Sequence, residues 1–293
     1  MKEEILYSIT KAPPKRGVFL WIYKNVLMEK TVVVPKQKTK ETYRKSGAES
    51  VVLGLLAEGA NLIFGYPGGA IMPVYDELFK YEHRLKHILA RHEQGAIHAA
   101  QGYARSSGKI GVVLATSGPG ATNLLTGIAD AQIDSTPLVC ITGQVASHLL
   151  GTDAFQETDI VSMSTPVTKW NYQVTKASEI PEVLAKAFYI AKSGRPGPVL
   201  IDITKDAQFE LATFQHATCE TIEGYTPNPV IDDHQIGAAA ACINNAKKPL
   251  IIWGQGILLG KAEHEFKEFV EKSGIPAAWT ILGASALPTS HPL

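Results

Sequence analysis

From Ser46 onward the apolar positions change period repeatedly, and most changes fall at glycines. "GAESVVLGLLAEG" carries its apolar residues at helical spacing, and "NLIFG" is a short apolar run closed by glycine. The alternation continues through "AIMPVYDELFKY" (helix), "LKHILA" (buried strand), "QGAIHAAQGYARSSG" (buried helix), "IGVVLAT" (strand), "GATNLLTGIADAQID" (helix) and "PLVCITG" (strand). A loop-rich stretch follows, then the helical "IPEVLAKAFYIAKSG" and a last strand, "GPVLIDIT". Strands that are apolar throughout are covered on both faces, and strands alternating with helices are joined in parallel. The pattern predicts an α/β fold, a doubly wound, mostly parallel sheet over residues 41–206. Its Gly- and Ser-rich turns gather at the carboxyl ends of the strands, where such sheets hold ligands.

Between 207 and 230 neither period persists, and two prolines and a glycine mark the stretch as a linker. A second α/β unit occupies 231–293: helix "DDHQIGAAAACINNA", strand "PLIIWG", turn "GQGILLG", helix "AEHEFKEFVEKSG" and strand "IPAAWT". These elements are few for a complete sheet, so this unit is expected to be truncated. Residues 1–40 are expected to be a disordered extension, or to reflect a start placed too early, with Met28 the true start. Their apolar run, Val18 to Tyr23, stops at Lys24, is too short to span a bilayer and precedes no small-residue cleavage site.

Lys plus Arg and Asp plus Glu balance at 28 each, which points to neither nucleic acid nor an anionic membrane surface. Cys140, Cys219 and Cys242 are far apart with no CxxC pair, so a disulfide framework or zinc site is not expected and a reducing cytoplasm fits. Of His83, His87, His92 and His98 only the first two share helical spacing, which does not make a metal cluster.

One polar residue stands out. Glu93, in "ARHEQGA", lies where a predicted strand meets a predicted helix, and a carboxylate taken out of water without a partner is costly. "TSGPGATN" (Thr116 to Asn123) and "GYPGGA" (Gly65 to Ala70) fit either phosphate-cradling turns or plain tight turns. "WGQGILLG" (Trp253 to Gly260), between strand and helix, better suits a dinucleotide. Ser117 and Ser135 have no His/Asp constellation for a hydrolase. Arg195 suits an anion site or a surface cation equally, and Lys205 reads as a solvated charge.

"FGYPGGAIMPVYDEL", "RHEQGAIHAAQGYAR", "ATSGPGATNLLTGIADAQIDSTPLVCITGQV", "GTDAFQETDI" and "SGRPGPVLIDITKD" occur in one order at sensible spacing. In this the chain, from about residue 45 to its end, resembles the thiamine diphosphate (ThDP) enzyme superfamily, and within it the acetolactate synthase (acetohydroxyacid synthase) catalytic-subunit family. The resemblance implies that 41–206 is the pyrimidine-binding domain and 231–293 part of a central, FAD-associated domain. It makes Glu93 the carboxyl facing the N1′ nitrogen of the cofactor's aminopyrimidine, where it stabilises the imino tautomer that deprotonates the thiazolium. Apolar surroundings strengthen such a hydrogen bond. The resemblance also implies ThDP contacts from Tyr66, Gly68, Gly69, Ser135 and Gln156, with Phe155 on the substrate side and Lys205 at the substrate channel. It implies FAD contacts from Arg195, Gly254 and Gly256, although Gln255 departs from the small residue usual between the glycines. Ala146 stands where a proline is common.

The implied reaction decarboxylates pyruvate and transfers the hydroxyethyl unit to a second 2-oxo acid, giving 2-acetolactate, or 2-aceto-2-hydroxybutyrate from 2-oxobutyrate. A homodimer or tetramer, and a regulatory small subunit, are implied partners. The family's Gly-Asp-Gly…Asn pattern for Mg²⁺ and diphosphate has no counterpart in this sequence, so the chain alone is expected to be inactive. A related ThDP carboligase or oxidase, or a non-catalytic binding or assembly module, stands as the alternative.

Overall fold

The computed structural model describes residues 43–293, so the expectations for residues 1–40 and Met28 lie outside it. The chain runs β1 (Tyr43–Ser46), α1 (Gly47–Ala57), β2 (Leu62–Gly65), α2 (Met72–Lys80), β3 (Lys86–Leu89), α3 (Glu93–Ser107), β4 (Gly111–Ala115), α4 (Pro119–Thr122), α5 (Leu125–Ile133), β5 (Leu138–Gln144), α6 (Ile160–Ser164), β6 (Trp170–Val174), α7 (Ile180–Lys192), β7 (Pro198–Thr204), α8 (Lys205–Phe209) and β8 (Leu211–Phe214). Beyond it lie α9 (Asp233–Asn245), β9 (Ile251–Trp253), α10 (Gly256–Leu259), α11 (Glu263–Ser273) and β10 (Ala277–Trp279). Two compact units result, divided at residues 229 and 230.

In the first unit six strands form one sheet in the order β3-β2-β4-β5-β7-β6, every pair parallel. The predicted α/β class is the observed one. β4, β5 and β7 are buried at every residue. Their side chains alternate between faces: Val112 and Leu114 join Val51, Leu55, Ile180 and Leu184 in one core, while Val113 and Ala115 join Ile97, Ala100 and Ile128 in the other. The long apolar runs are what covering both faces requires, with Thr142, Gln144, Asp202 and Thr204 as the buried polar exceptions on β5 and β7.

Five expectations change. β3, predicted to be buried, is the sheet's edge, and Ile88 and Leu89 are exposed. Apolarity marked the strand but not its place in the sheet. Helix α3 is buried along one face only, with Gly95, His98, Ala99 and Gly102 outside. The helix expected from Gly120 to Asp134 is broken into α4 and α5 around Asn123. The loop-rich stretch hides β6, whose "WNYQV" alternates and covers the opposite sheet edge. The expected linker also begins with structure: α8 is followed by β8, which pairs antiparallel with β1.

The second unit holds the predicted helix–strand–helix–strand order. β9 and β10 pair in parallel over a small core of Trp253, Phe266, Val270 and Leu287. No helix among the described residues is long and apolar enough to cross a membrane.

Candidate active site

Because β3, β2, β4 and β5 are adjacent and parallel, the turns that follow them emerge at one edge of the sheet. Each turn carries a sequence motif. β3 leads into Glu93, the first residue of α3, whose N-cap His92 accepts the Gln94 amide through Nδ1 at 3.1 Å. An acid in a helix's first turn complements the helix dipole. Glu93 is only 7% exposed. Its Oε2 accepts a hydrogen bond of 2.9 Å from Asn123 Nδ2. Its Oε1 has no hydrogen-bond partner and no ion pair among the described residues. Gly120 faces that oxygen, and a Cβ there would stand 3.3 Å from it. The carboxyl is therefore fixed by one oxygen and open at the other.

Thr116, the first residue past β4, ties two turns together. Its Oγ1 accepts the Ala70 amide at 3.1 Å, and Gly68 packs so closely that a Cβ would lie 2.5 Å from Thr116. The Ala70 carbonyl accepts from buried Gln208 Nε2 at 2.8 Å. Tyr66 is exposed beside these groups in sequence, and no atom of the chain comes within 4 Å of where a Cβ on Gly69 would be.

The segment after β5 returns over the β4 turn. Gln156 adopts φ 59°, uncommon for a residue with a side chain. Gly118 faces it at φ 57°, and a Cβ on Gly118 would lie 2.7 Å from the Gln156 carbonyl oxygen. Phe155 beside it is 87% exposed. Lys205 follows β7 at the same edge, exposed, its amide bonded to Val145 O at 3.4 Å.

Three titratable groups in the sheet unit are shifted by burial: half-buried Tyr75 and His87, and fully buried Asp202 on β7. Burial first, and then the charge of Glu93, push the Tyr75 hydroxyl upward. That hydroxyl lies 3.2 Å from His87 Nε2, and burial holds the imidazole below its usual value. Burial pushes Asp202 on β7 up to about 6, against the lowering effect of hydrogen bonds from Thr142, Gln173 and Gln144.

Ser135 and Arg195 are elsewhere. They precede β5 and β7 and so sit at the amino edge, a strand's length, roughly 15–20 Å, from the Glu93 edge. Arg195 Nε donates to Ser135 Oγ at 2.7 Å and Nη2 to Ile133 O at 2.8 Å. Ser135 is thus not brought to Glu93 within this chain. Ser117 is: it is buried in the β4 turn, and its carbonyl accepts the Gly120 amide at 3.2 Å. Sequence reading also passed over Asn123 and Thr116; the signal available for all three was the single motif "TSGPGATN".

In the second unit, Gly254 packs against Gly283, where a Cβ would lie 2.8 Å from Gly254 backbone atoms. Gly256 opens the four-residue α10. Among the described residues no group of three or more His, Cys, Asp or Glu could hold a metal.

The sequence that builds this site has a match. Residues 45–163 correspond to the thiamine pyrophosphate enzyme N-terminal TPP binding domain and residues 236–293 to the thiamine pyrophosphate enzyme central domain. The chain belongs to the thiamine pyrophosphate enzyme family. Among its relatives in this family, an acetolactate synthase of Mycobacterium bovis is 50% identical over 84% of the chain and 40% of the relative. An acetolactate synthase large subunit of Corynebacterium glutamicum is 47% identical over 89% of the chain and 42% of the relative. One from Lactococcus lactis is 46% identical over 88% and 44%. The chain spans about two fifths of the length of these relatives.

Proposed function

We propose that this chain is the part of an acetolactate synthase catalytic subunit that holds the aminopyrimidine side of ThDP. One observation carries the reading: a buried carboxyl at the ligand edge of the sheet, held at Oε2 by Asn123 and open at Oε1 beneath Gly120. The residues fit a flat nitrogen heterocycle, because Glu93 Oε1 has no hydrogen-bond partner among the described residues and Gly69 leaves open space on the adjoining turn.

Bound there, ThDP supplies the electron sink on which a 2-oxo acid loses carbon dioxide. Glu93 holds or releases a proton at Oε1 toward the ring nitrogen, in surroundings of low dielectric that strengthen the bond. Asn123 orients the carboxyl. Thr116 and Gln208 fix the 66–70 turn, so that Tyr66, Gly68 and Gly69 keep their places against the cofactor. Gln156 stands over the β4 turn as a second cofactor contact, with Ser117 buried in that same turn. Phe155 lines the substrate side, and Lys205 offers a cation to the carboxylate of an incoming 2-oxo acid.

The proposed substrates are pyruvate as donor and pyruvate or 2-oxobutyrate as acceptor; identities of 46–50% to acetolactate synthases support them. Relatives described as large subunits support a small-subunit partner and assembly from several chains. Mg²⁺ and FAD enter only through the likeness. The described residues offer no metal cluster. Arg195 is engaged with Ser135 and Ile133, and Gly254 with Gly283. The likeness assigns Arg195, Gly254 and Gly256 to FAD, and no proposed step depends on that group.

Product analysis tests the reaction. Assembled into a full-length catalytic subunit and incubated with ThDP, Mg²⁺ and pyruvate, the protein is expected to give 2-acetolactate, with Glu93→Gln lowering the yield about a hundredfold or more, whereas the chain alone is expected to give none. Acetate as the product, or full activity of the Glu93→Gln variant, contradicts the reading.

A further inference from the structure

The buried acid of β7 has no part in the chemistry above. Asp202 has no exposed surface and stands opposite Thr142 of β5 and Gln173 of β6 in the parallel register. Its Oδ1 accepts from Thr142 Oγ1 at 2.6 Å, and its Oδ2 from Gln144 Nε2 at 3.1 Å and Gln173 Nε2 at 3.0 Å. Asp159 is the charged group that acts on it most strongly. An apolar side chain at the centre of a sheet avoids the cost of desolvating a carboxyl and its donors. Stability alone therefore gives a poor reason for the residue.

The network leads outward through Gln144. Its Nε2 also donates to Thr158 O at 2.9 Å, while its Oε1 accepts the Val145 amide at 2.9 Å. Both ends of the amide are thereby committed, and its orientation is fixed by Asp202 on one side. Thr158 closes the loop that carries Phe155 and Gln156. Within the loop Glu157 accepts the Gly151 and Asp153 amides at 2.9 and 3.1 Å, and its own amide donates to Ala154 O at 2.8 Å. At the loop's start Thr152 Oγ1 and its amide donate to the neighbouring Leu149 O at 2.6 and 3.3 Å; from residue 153 to 157 the hydrogen bonds stay inside the loop. A loop closed on its own residues keeps its shape but needs an external tether to keep its place. Gln144 to Thr158 is such a tether.

We propose that Asp202 is a positioning residue: by fixing the Gln144 side chain it anchors loop 151–158 to the sheet and sets where Phe155 and Gln156 stand over Gly118. The importance of that placement rests on the cofactor role proposed for Gln156; the anchoring does not.

Hydrogen exchange of the full chain without ThDP tests it, comparing Gln144→Leu, Asp202→Asn and Gln173→Leu. Gln144→Leu removes the tether and leaves Asp202 its donors from Thr142 and Gln173. Asp202→Asn turns an acceptor toward donors into a mixed group and releases Gln144. Both are expected to speed exchange across 151–160 by roughly tenfold, the effect of losing about one hydrogen bond, with β4 and α7 unchanged as evidence of an intact fold. Gln173→Leu, which cuts only the link to β6, is expected to leave 151–160 within about twofold. Unchanged exchange in the Gln144→Leu variant, or equal loosening by Gln173→Leu, overturns the proposal. If Asp202→Asn fails to fold, the two glutamine variants decide. Because the cofactor is absent, a loosened loop establishes the anchor even if Gln156 has no part in binding ThDP, and an unmoved loop removes it even if ThDP binds.

Discussion

At the scale of the residue, the site is a set of polar groups whose partners come from far along the chain. Asn123 meets Glu93 from 30 positions away and Thr116 meets Ala70 from 46. Substituting Asn123 by Leu leaves a buried carboxylate without its donor, and is expected to cost about 1–3 kcal/mol at neutral pH, read by urea denaturation. Asp202 gives a pH signature. Its carboxyl is raised from 3.8 to about 6 in the folded protein, so the folded state binds the proton more tightly than the unfolded chain. The stability this contributes is fully present below about 3.8 and is lost as pH rises through about 6, amounting to at most ~3 kcal/mol. Thermal melts across pH 3.5 to 7 are expected to show this fall in the wild type and a flatter curve in Asp202→Asn. The difference between the two curves isolates the group from the other carboxyls.

At the scale of the element, turn glycines separate into those that shape the chain and those that leave room beside it. Gly118→Ala meets both the cost of a left-handed φ and contact with the Gln156 carbonyl. A loss of about 1–3 kcal/mol is expected by chemical denaturation. Gly69→Ala meets no atom of the chain, so stability is expected to stay within about 0.5 kcal/mol while ThDP binding weakens. Equal destabilisation by both would deny the distinction. Elements differed in how plainly the sequence displayed them. β4, β5 and β7 were legible because each is a continuous apolar run over most of its length. β6 was not, since an edge strand keeps a polar face and resembles loop. β3 was recognised as a strand but not as an edge, because position within a sheet depends on connections rather than on the strand's own residues. Glu93 was legible as an acid between two core elements. Asn123, lying within a run of small helical residues, gave no sign of what it would face, and the sequence did not show that Ser135 precedes β5 and so stands at the other edge of the sheet, because strand edges cannot be told apart before the topology is known.

At the scale of the whole molecule, the chain brings the edge of one sheet to readiness for a heterocycle, and its matches in the thiamine pyrophosphate enzyme family run through both compact units. The cysteines report on their integrity. Cys140 lies in the first unit's core with its thiol pushed upward by burial, whereas Cys242 is exposed on α9. A soluble thiol reagent is expected to modify Cys242 in the native protein and Cys140 only after unfolding; early labelling of Cys140 would show that the sheet opens. The most direct test concerns the free oxygen of Glu93. Titration calorimetry of the protein with ThDP and with an analogue whose N1′ nitrogen is replaced by carbon compares binding with and without that hydrogen bond. The wild type is expected to prefer ThDP by roughly tenfold or more, the worth of a hydrogen bond to a charged or protonated carboxyl, and Glu93→Ala to bind the two alike. Equal binding by the wild type, or a preference kept by Glu93→Ala, would contradict the assignment of this carboxyl to the aminopyrimidine.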